Sequence, residues 1–211
     1  ANRQSGPEGN KSLNRLGDVV FLTNYKLLDR ISGKEKNMLR QTLLAGAGIK
    51  LATGDDHFDE SNETHVGNSN FQAGTGSTDY LLNIYYSIRY RHVGFSTGVT
   101  YKINTENRSG YRFGNRLLNV TQLKYIKDIK DFSIIPSVGI AFEKMLQDEE
   151  DGVKVDRSRT GGYNTQLLLG VDFNTAKWAL GVNYAASVKQ NLAAGQIDAR
   201  PGVNIHLSYS F

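Results

Sequence analysis

The chain contains no cysteine, only three prolines and two methionines in 211 residues, and no long apolar run. Without cysteine there is no disulfide framework, which suits an exported protein without bridges and many cytosolic ones equally. A membrane-crossing helix needs about 18 consecutive apolar residues, and no segment supplies them. The first residues, "ANRQSGPEGNKSLNRLGD", have neither an initiator Met nor a signal-peptide pattern. The expectation is that a leader has been removed or that the chain is part of a longer one. Net charge is small as well, at +4, and 39% of residues are apolar. Disorder calls for fewer aromatics and more net charge, so the chain should fold. What it has in quantity is glycine, 22 residues, and tyrosine, 11 residues.

The apolar residues that are present alternate with polar ones. In "PGVNIHLSYSF" the set Val203, Ile205, Leu207, Tyr209 and Phe211 is separated by Asn204, His206, Ser208 and Ser210. A strand has a side-chain period of two, so this segment has one apolar and one polar face. The pattern recurs in "WALGVNYAASVK" (178–189), "YNTQLLLGVDFN" (163–174), "FSIIPSVGIAFEK" (132–144), "FSTGVTYKIN" (95–104) and "YLLNIYYSIRYR" (80–91). It is less clean in "MLRQTLLAGAGIKL" (38–51) and "DVVFLTNYKLL" (18–28), and weakest in "LLNVTQLKYI" (117–126). These nine segments predict nine strands of roughly 10 to 13 residues, the length needed to cross a bilayer when tilted.

The links between them alternate in length. Short ones fall near residues 92, 129 and 175, with a longer one at 29–37, whereas 54–77, 105–116, 147–162 and 190–201 are extended. All the short links lie at one end of the strands, the asymmetry of up-and-down outer-membrane barrels. On the apolar parity, Tyr90, Phe95, Tyr125, Phe132, Phe173, Trp178 and Tyr209 lie beside the short turns. Tyr80, Tyr101, Phe142, Tyr163 and Tyr184 lie near the long loops. Amphipathic rings favour the headgroup level, so two aromatic belts predict that the apolar face meets lipid. A soluble sandwich or lipocalin-like barrel would alternate too, without that reason to collect aromatics at both ends.

The resulting expectation is all-β: one antiparallel up-and-down transmembrane β-barrel domain spanning 1–211. The terminal strand, with Val203, Ile205, Leu207, Tyr209 and Phe211, resembles the signal by which outer-membrane barrels are recognised for insertion. Nine strands is odd, whereas single-chain bacterial barrels have even numbers. Ten or twelve are therefore expected in the complete protein, with one or three strands preceding Ala1. A partner chain or a poorly patterned strand within 1–16 are the other ways to close the seam. The stretches "LGDVVFLTNYKLL" (16–28), "AGIKLATG" (47–54), "GTGSTDYLL" (74–82) and "YRFGN" (111–115) also resemble a family. It is the transporter-like outer-membrane barrel family named for meta-pathway phenol degradation. That family usually has Pro where this chain has Ala52. The resemblance implies a channel or transporter, and says little of its substrate.

On this reading the lumen is lined by Lys26, Arg40, Lys50, Arg89, Arg91, Lys102, Lys124 and Lys189, opposed by Asp79, Glu143 and Asp172, with His206 beside them. A mainly basic pore favours anions. The same charges could instead pair and fill a closed barrel. Asp55, Asp56, His57, Asp59, Glu60, Glu63 and His65 gather in one loop and Asp148, Glu149, Glu150 and Asp151 in another, but match no defined calcium loop. Charged runs are usually solvated, so no metal site is expected. "QAGTGS" leads into a strand, not a helix, and is read as a flexible loop and not a phosphate-binding one. His206 and Ser208 stand two apart, as in barrel lipid hydrolases, yet they face away from lipid and lack an evident orienting residue. The chain is accordingly expected to be no enzyme and to need no cofactor. Its expected surroundings are the outer membrane of a Gram-negative bacterium, with lipid and lipopolysaccharide around it. Other outer-membrane subunits are possible partners; nucleic acid is not. The function expected is a channel or transporter for small, anionic or aromatic solutes, and the alternative is a non-conducting barrel that anchors a larger complex.

Overall fold

The computed structural model describes residues 2–6, 9–13, 17–33, 37–54 and 74–210. The acidic and histidine residues of the loop at 55–65, and Phe211, lie outside the described residues. The chain is all-β and antiparallel. Nine long strands form one sheet: β1 (Val19–Ser32), β2 (Leu39–Leu51), β3 (Asp79–Tyr90), β4 (Val93–Ile103), β5 (Arg116–Tyr125), β6 (Phe132–Met145), β7 (Gly162–Thr175), β8 (Trp178–Leu192) and β9 (Gly202–Tyr209). Each pairs with its neighbour in sequence, so the sheet is a simple meander. A short strand, Lys127–Ile129, continues the β5 register against β6. The break before it falls where Pro136, which has no N–H to give, stands in β6. Outside the sheet, residues 2–6 and 9–13 pair as a two-stranded ribbon.

Every alternating segment of the sequence became a strand, and the short links became tight turns. Arg91 (φ 52°) turns β3 into β4, and Lys130 (φ 47°) turns the Lys127–Ile129 strand into β6. Two bulges account for the segments that alternate less cleanly or change phase. The β1–β2 register shifts between Lys26 and Leu28, leaving Leu27 unpaired. The β7–β8 register shifts where Thr165 faces Lys189 and Gln166 faces Ser187, leaving Val188 unpaired. One extra residue reverses the parity of everything beyond it.

Among the described residues the sheet does not close: β1 and β9 are its edges. With nine strands alternating in direction, these two edges run the same way. Joining them by antiparallel pairs takes an odd number of further strands.

The two faces are unlike those of a soluble sheet. Much of the apolar parity is solvent-exposed, from Tyr80, Leu82 and Ile84 in β3 to Val203, Ile205 and Leu207 in β9, where Ile205 keeps 69% of its surface, and the rest of it is half-buried. Among the described residues the buried apolar ones amount to Phe113, Ala141 and Ala193, while Lys50, Ser77, Asp79, Ser96, Asn104, Asp148 and Asn164 are buried polar ones. On the polar face Asn24 and Asn83, on strands separated by β2, meet at 2.6 Å.

Candidate functional site: the polar face

The polar face is organised by glycine. Gly46 in β2 faces Asn24 on one side and Asn83 on the other, and the Asn83 amide donates to Asn24 Oδ1 over it. A Cβ on Gly46 would collide with both asparagines. Gly181 in β8 likewise stands between Asp172 and His206, whose Nε2 lies 3.2 Å from Asp172 Oδ1. A Cβ there would strike the carboxylate and the ring together. The glycines are saddles over which residues two strands apart can pair. Around the second saddle, Gln122, Lys124, Ser137, Asp172, Asn174, Asn183, Asn204 and His206 line an open cavity of about 610 Å³.

At the long-loop rim a second arrangement buries charge. Asp79 has no exposed surface and Lys50 has 5%. Lys50 Nζ lies 2.8 Å from Asp18 Oδ2 and 2.7 Å from Asp79 Oδ2, and Lys102 Nζ lies 3.0 Å from the same Asp79 oxygen. The other Asp79 oxygen accepts from Ser77 Oγ at 2.8 Å and from the Thr105 amide at 3.1 Å. Two carboxylates and two ammoniums thus alternate around the rim with every charge opposed, the condition under which buried ions are tolerable. Asp18 also accepts the amides of Gly54 and Thr75, at 2.9 and 3.0 Å, and so ties together the two stems of the long β2–β3 loop. Burial pushes the Asp18 carboxyl up. The hydrogen bonds from Lys50, Gly54 and Thr75 outweigh it and hold the group below the usual carboxylate range.

The loop layer above is built on Asp148. Its carboxylate accepts from the Tyr111 hydroxyl and, at 2.7 Å, from the Gly114 amide. Glu149 pairs with Arg112. Tyr111–Arg112, Glu149–Glu150 and Val153–Lys154 form a small sheet over the rim. The acidic run at 148–151, read from the sequence as a solvated loop, therefore has two members committed to structure. Among the described residues no cluster of His, Asp and Glu is arranged to hold a metal.

The register places the expected lining residues as follows. Lys26, Arg40, Lys50, Arg89, Lys102, Lys124, Glu143, Asp172 and His206 share the polar face. Lys189 does not. The Val188 bulge sets it opposite Thr165, on the face of Leu167 and Leu169. Arg91 is not in a strand either; it occupies the β3–β4 turn, where Nε donates to Asn37 Oδ1 at 2.8 Å and the guanidinium lies over the Tyr90 ring. Conversely, the bulge at Leu27 turns Asp29 onto the polar face, 2.8 Å from Lys26 and 3.7 Å from Arg40. Asp128 faces Ser133 there, and Arg116 pairs with Glu143 at 3.7 Å. The face is thus closer to charge balance than the mainly basic lining the sequence predicts. Parity could not reveal Asp29, because the bulge that turns it inward has no signature of its own. Asp79 was expected on this face, and its neighbours Asp18, Thr75 and Ser77 could have been found: they sit in the "LGD" and "GTGSTD" stretches quoted for the family resemblance.

The belts expected at the strand ends lie on the apolar face. Tyr80, Tyr90, Phe95, Tyr125, Phe132, Phe173, Trp178, Tyr184 and Tyr209 are exposed there, and Tyr101, Phe142 and Tyr163 are half-buried. The Trp178 and Tyr209 rings meet at a tilt of 50°, with 4.6 Å between their centroids. As for the His206–Ser208 pair, Asp172 supplies the carboxylate that the sequence did not reveal. Yet Nε2 is directed at Asp172 and Nδ1 at Asn183, 3.4 Å away, so neither ring nitrogen is turned to Ser208.

What the fold and the polar face define is an antiparallel β-meander with one apolar face and one polar face on which most charges are paired. No protein-family model matches the chain, and no curated protein shows significant similarity to it. The family resemblance therefore rests on its short motifs.

Proposed function

We propose that the nine-stranded meander belongs to an outer-membrane β-barrel that serves as a channel or transporter for small polar solutes. The observation that carries the reading is the inversion of its faces. Tyr, Phe, Trp and aliphatic side chains stand exposed on one side, while Lys50, Asp79 and Asn164 are buried on the other. Exposed apolar patches on monomeric soluble proteins seldom exceed a few hundred Å², and this one runs across nine strands. Lipid removes that cost, and the aromatic ends then fall at the headgroups. Within the strands, Tyr85 is the only aromatic on the polar face, so polar solutes fit it better than aromatic ones.

Two measurements test the reading. Cysteines at Val203, Ile205 and Leu207 in reconstituted protein should react with a lipid-phase probe, and those at Asn204 and His206 with a water-soluble one; equal labelling of both sets by the water-soluble probe refutes membrane insertion. Stepwise current in a planar bilayer supports conduction. The second reading, a closed barrel that anchors a larger complex, is favoured by the bridges over Gly46 and Gly181, which fill part of the interior. Silence in the bilayer together with correct cysteine labelling selects it.

A further inference from the structure

A third glycine on the polar face has the same surroundings as Gly46 and Gly181, with one difference in chemistry. Gly94 in β4 stands opposite Arg89 of β3 and opposite Lys124 of β5. Over Gly46 two amides pair, and over Gly181 a carboxylate and an imidazole do. Over Gly94 the two flanking side chains are both cations and cannot pair with each other. The saddle is also unobstructed: the atoms nearest to a Cβ built on Gly94, Ile126 Cδ1, the Ile88 carbonyl oxygen and Lys124 Cβ, are 4.0 Å away, at ordinary van der Waals contact.

The charges around it are unanswered. Among the described residues no carboxylate lies within ion-pair distance of Arg89 or Lys124. Arg89 donates Nε to the Arg91 carbonyl at 3.0 Å, and its two terminal nitrogens have no partner among the described residues. Arg40, itself 3.7 Å from Asp29, stands directly opposite Arg89, so a third cation shares the row. Like charges directly opposite each other on one face of a sheet are destabilising, a cost that a bound anion would relieve. Ser96 and Gln122, paired one rung toward the loops, add a hydroxyl and an amide as neutral donors. On its other side Lys124 faces Ser137 and lines the cavity that also holds Asn183 and Asn204.

We propose that the saddle over Gly94 binds a compact oxyanion between the Arg89 guanidinium and the Lys124 ammonium. Planar guanidinium forks hold carboxylate and phosphate by two parallel bonds, and the ammonium adds a point charge from the opposite strand. The assignment rests on the reading of the polar face as a solute path, and gives that path an anion-selective step near the short-turn end despite the near balance of charge elsewhere.

The test is calorimetric titration of the detergent-purified protein with inorganic phosphate and, separately, with acetate. Saturable binding is expected. Lys124→Gln and Arg89→Gln should each weaken it by about tenfold, the loss of one charge-assisted contact. Gly94→Leu, which fills the saddle and keeps both charges, should weaken it as much, whereas Lys26→Gln, in another row and paired with Asp29, should leave it unchanged. Phosphate binding without acetate binding identifies a tetrahedral oxyanion; binding of both identifies carboxylates as well. No binding by the unaltered protein, or equal binding by Gly94→Leu and the unaltered protein, overturns the site. Intact binding with no current in a planar bilayer supports the site and removes conduction, so the two claims fail separately.

Discussion

Replacing Asp79 by Asn should destabilise the fold by about 3 kcal/mol, at the low end of the roughly 3–5 kcal/mol that follows removal of one partner from a buried ion pair. The substitution preserves shape. Oδ1 can still accept from Ser77 and Thr105, which now lie 2.8 and 3.1 Å away. What it removes is the negative charge between Lys50 and Lys102, whose side chains are 6% and 24% exposed. Lys50 keeps Asp18 at 2.8 Å, and Lys102 is open enough to turn toward water, which places the cost at the lower end of the range. Adding Lys102→Gln restores neutrality to what remains, Asp18 and Lys50, and should recover about 1–2 kcal/mol. Denaturant unfolding of the lipid- or detergent-folded protein measures this, with the single tryptophan, Trp178, as reporter. A loss under about 1 kcal/mol for Asp79→Asn, or a double variant less stable than the single, refutes the claim that the rim is held by opposed buried charges.

Acid should loosen the β2–β3 loop stems before the sheet. The Asp18 carboxyl is held below its ordinary range, so its contribution is complete above the unfolded-state value and disappears as pH falls through the lower folded value. Hydrogen exchange at the Gly54 and Thr75 amides should accelerate in that window, and Asp18→Asn should abolish the dependence; a flat profile in the unaltered protein contradicts it. Gly181→Ala should cost about 1–3 kcal/mol because the new methyl meets Asp172 and His206, whereas Gly94→Ala, with nothing closer than 4.0 Å, should stay within about 0.5 kcal/mol. Comparable melting shifts for the two variants would show that the saddles are not the determinant. At the β8 bulge, Lys189→Cys should label from the lipid phase and Gln190→Cys from water; the reverse result would mean that the register shift at Val188 is absent.

Strand existence was legible because the period-two pattern is local: each of the nine alternating segments became a strand, and the length asymmetry of the links gave the meander. The apolar face is exposed for the same local reason, since Val203, Ile205 and Leu207 sort to one side whatever lies next to them. Face assignment failed wherever one residue was inserted into a register. Lys189 moved to the apolar face because Val188 is bulged, and Asp29, expected in the link at 29–37, joined the polar face past the bulge at Leu27; a bulge depends on what the neighbouring strand offers.

The sequence by itself determined an all-β chain with segregated faces, because side-chain alternation along an extended backbone needs no partner to be defined. Only the tertiary structure decided which charges meet. Asp18, Lys50, Asp79 and Lys102 come from positions up to 84 residues apart (102 minus 18), and their contacts exist only once β2, β3 and β4 lie side by side. The same holds for the glycine saddles: a glycine in a strand is a local fact, but what pairs over it is set by the strands on either side.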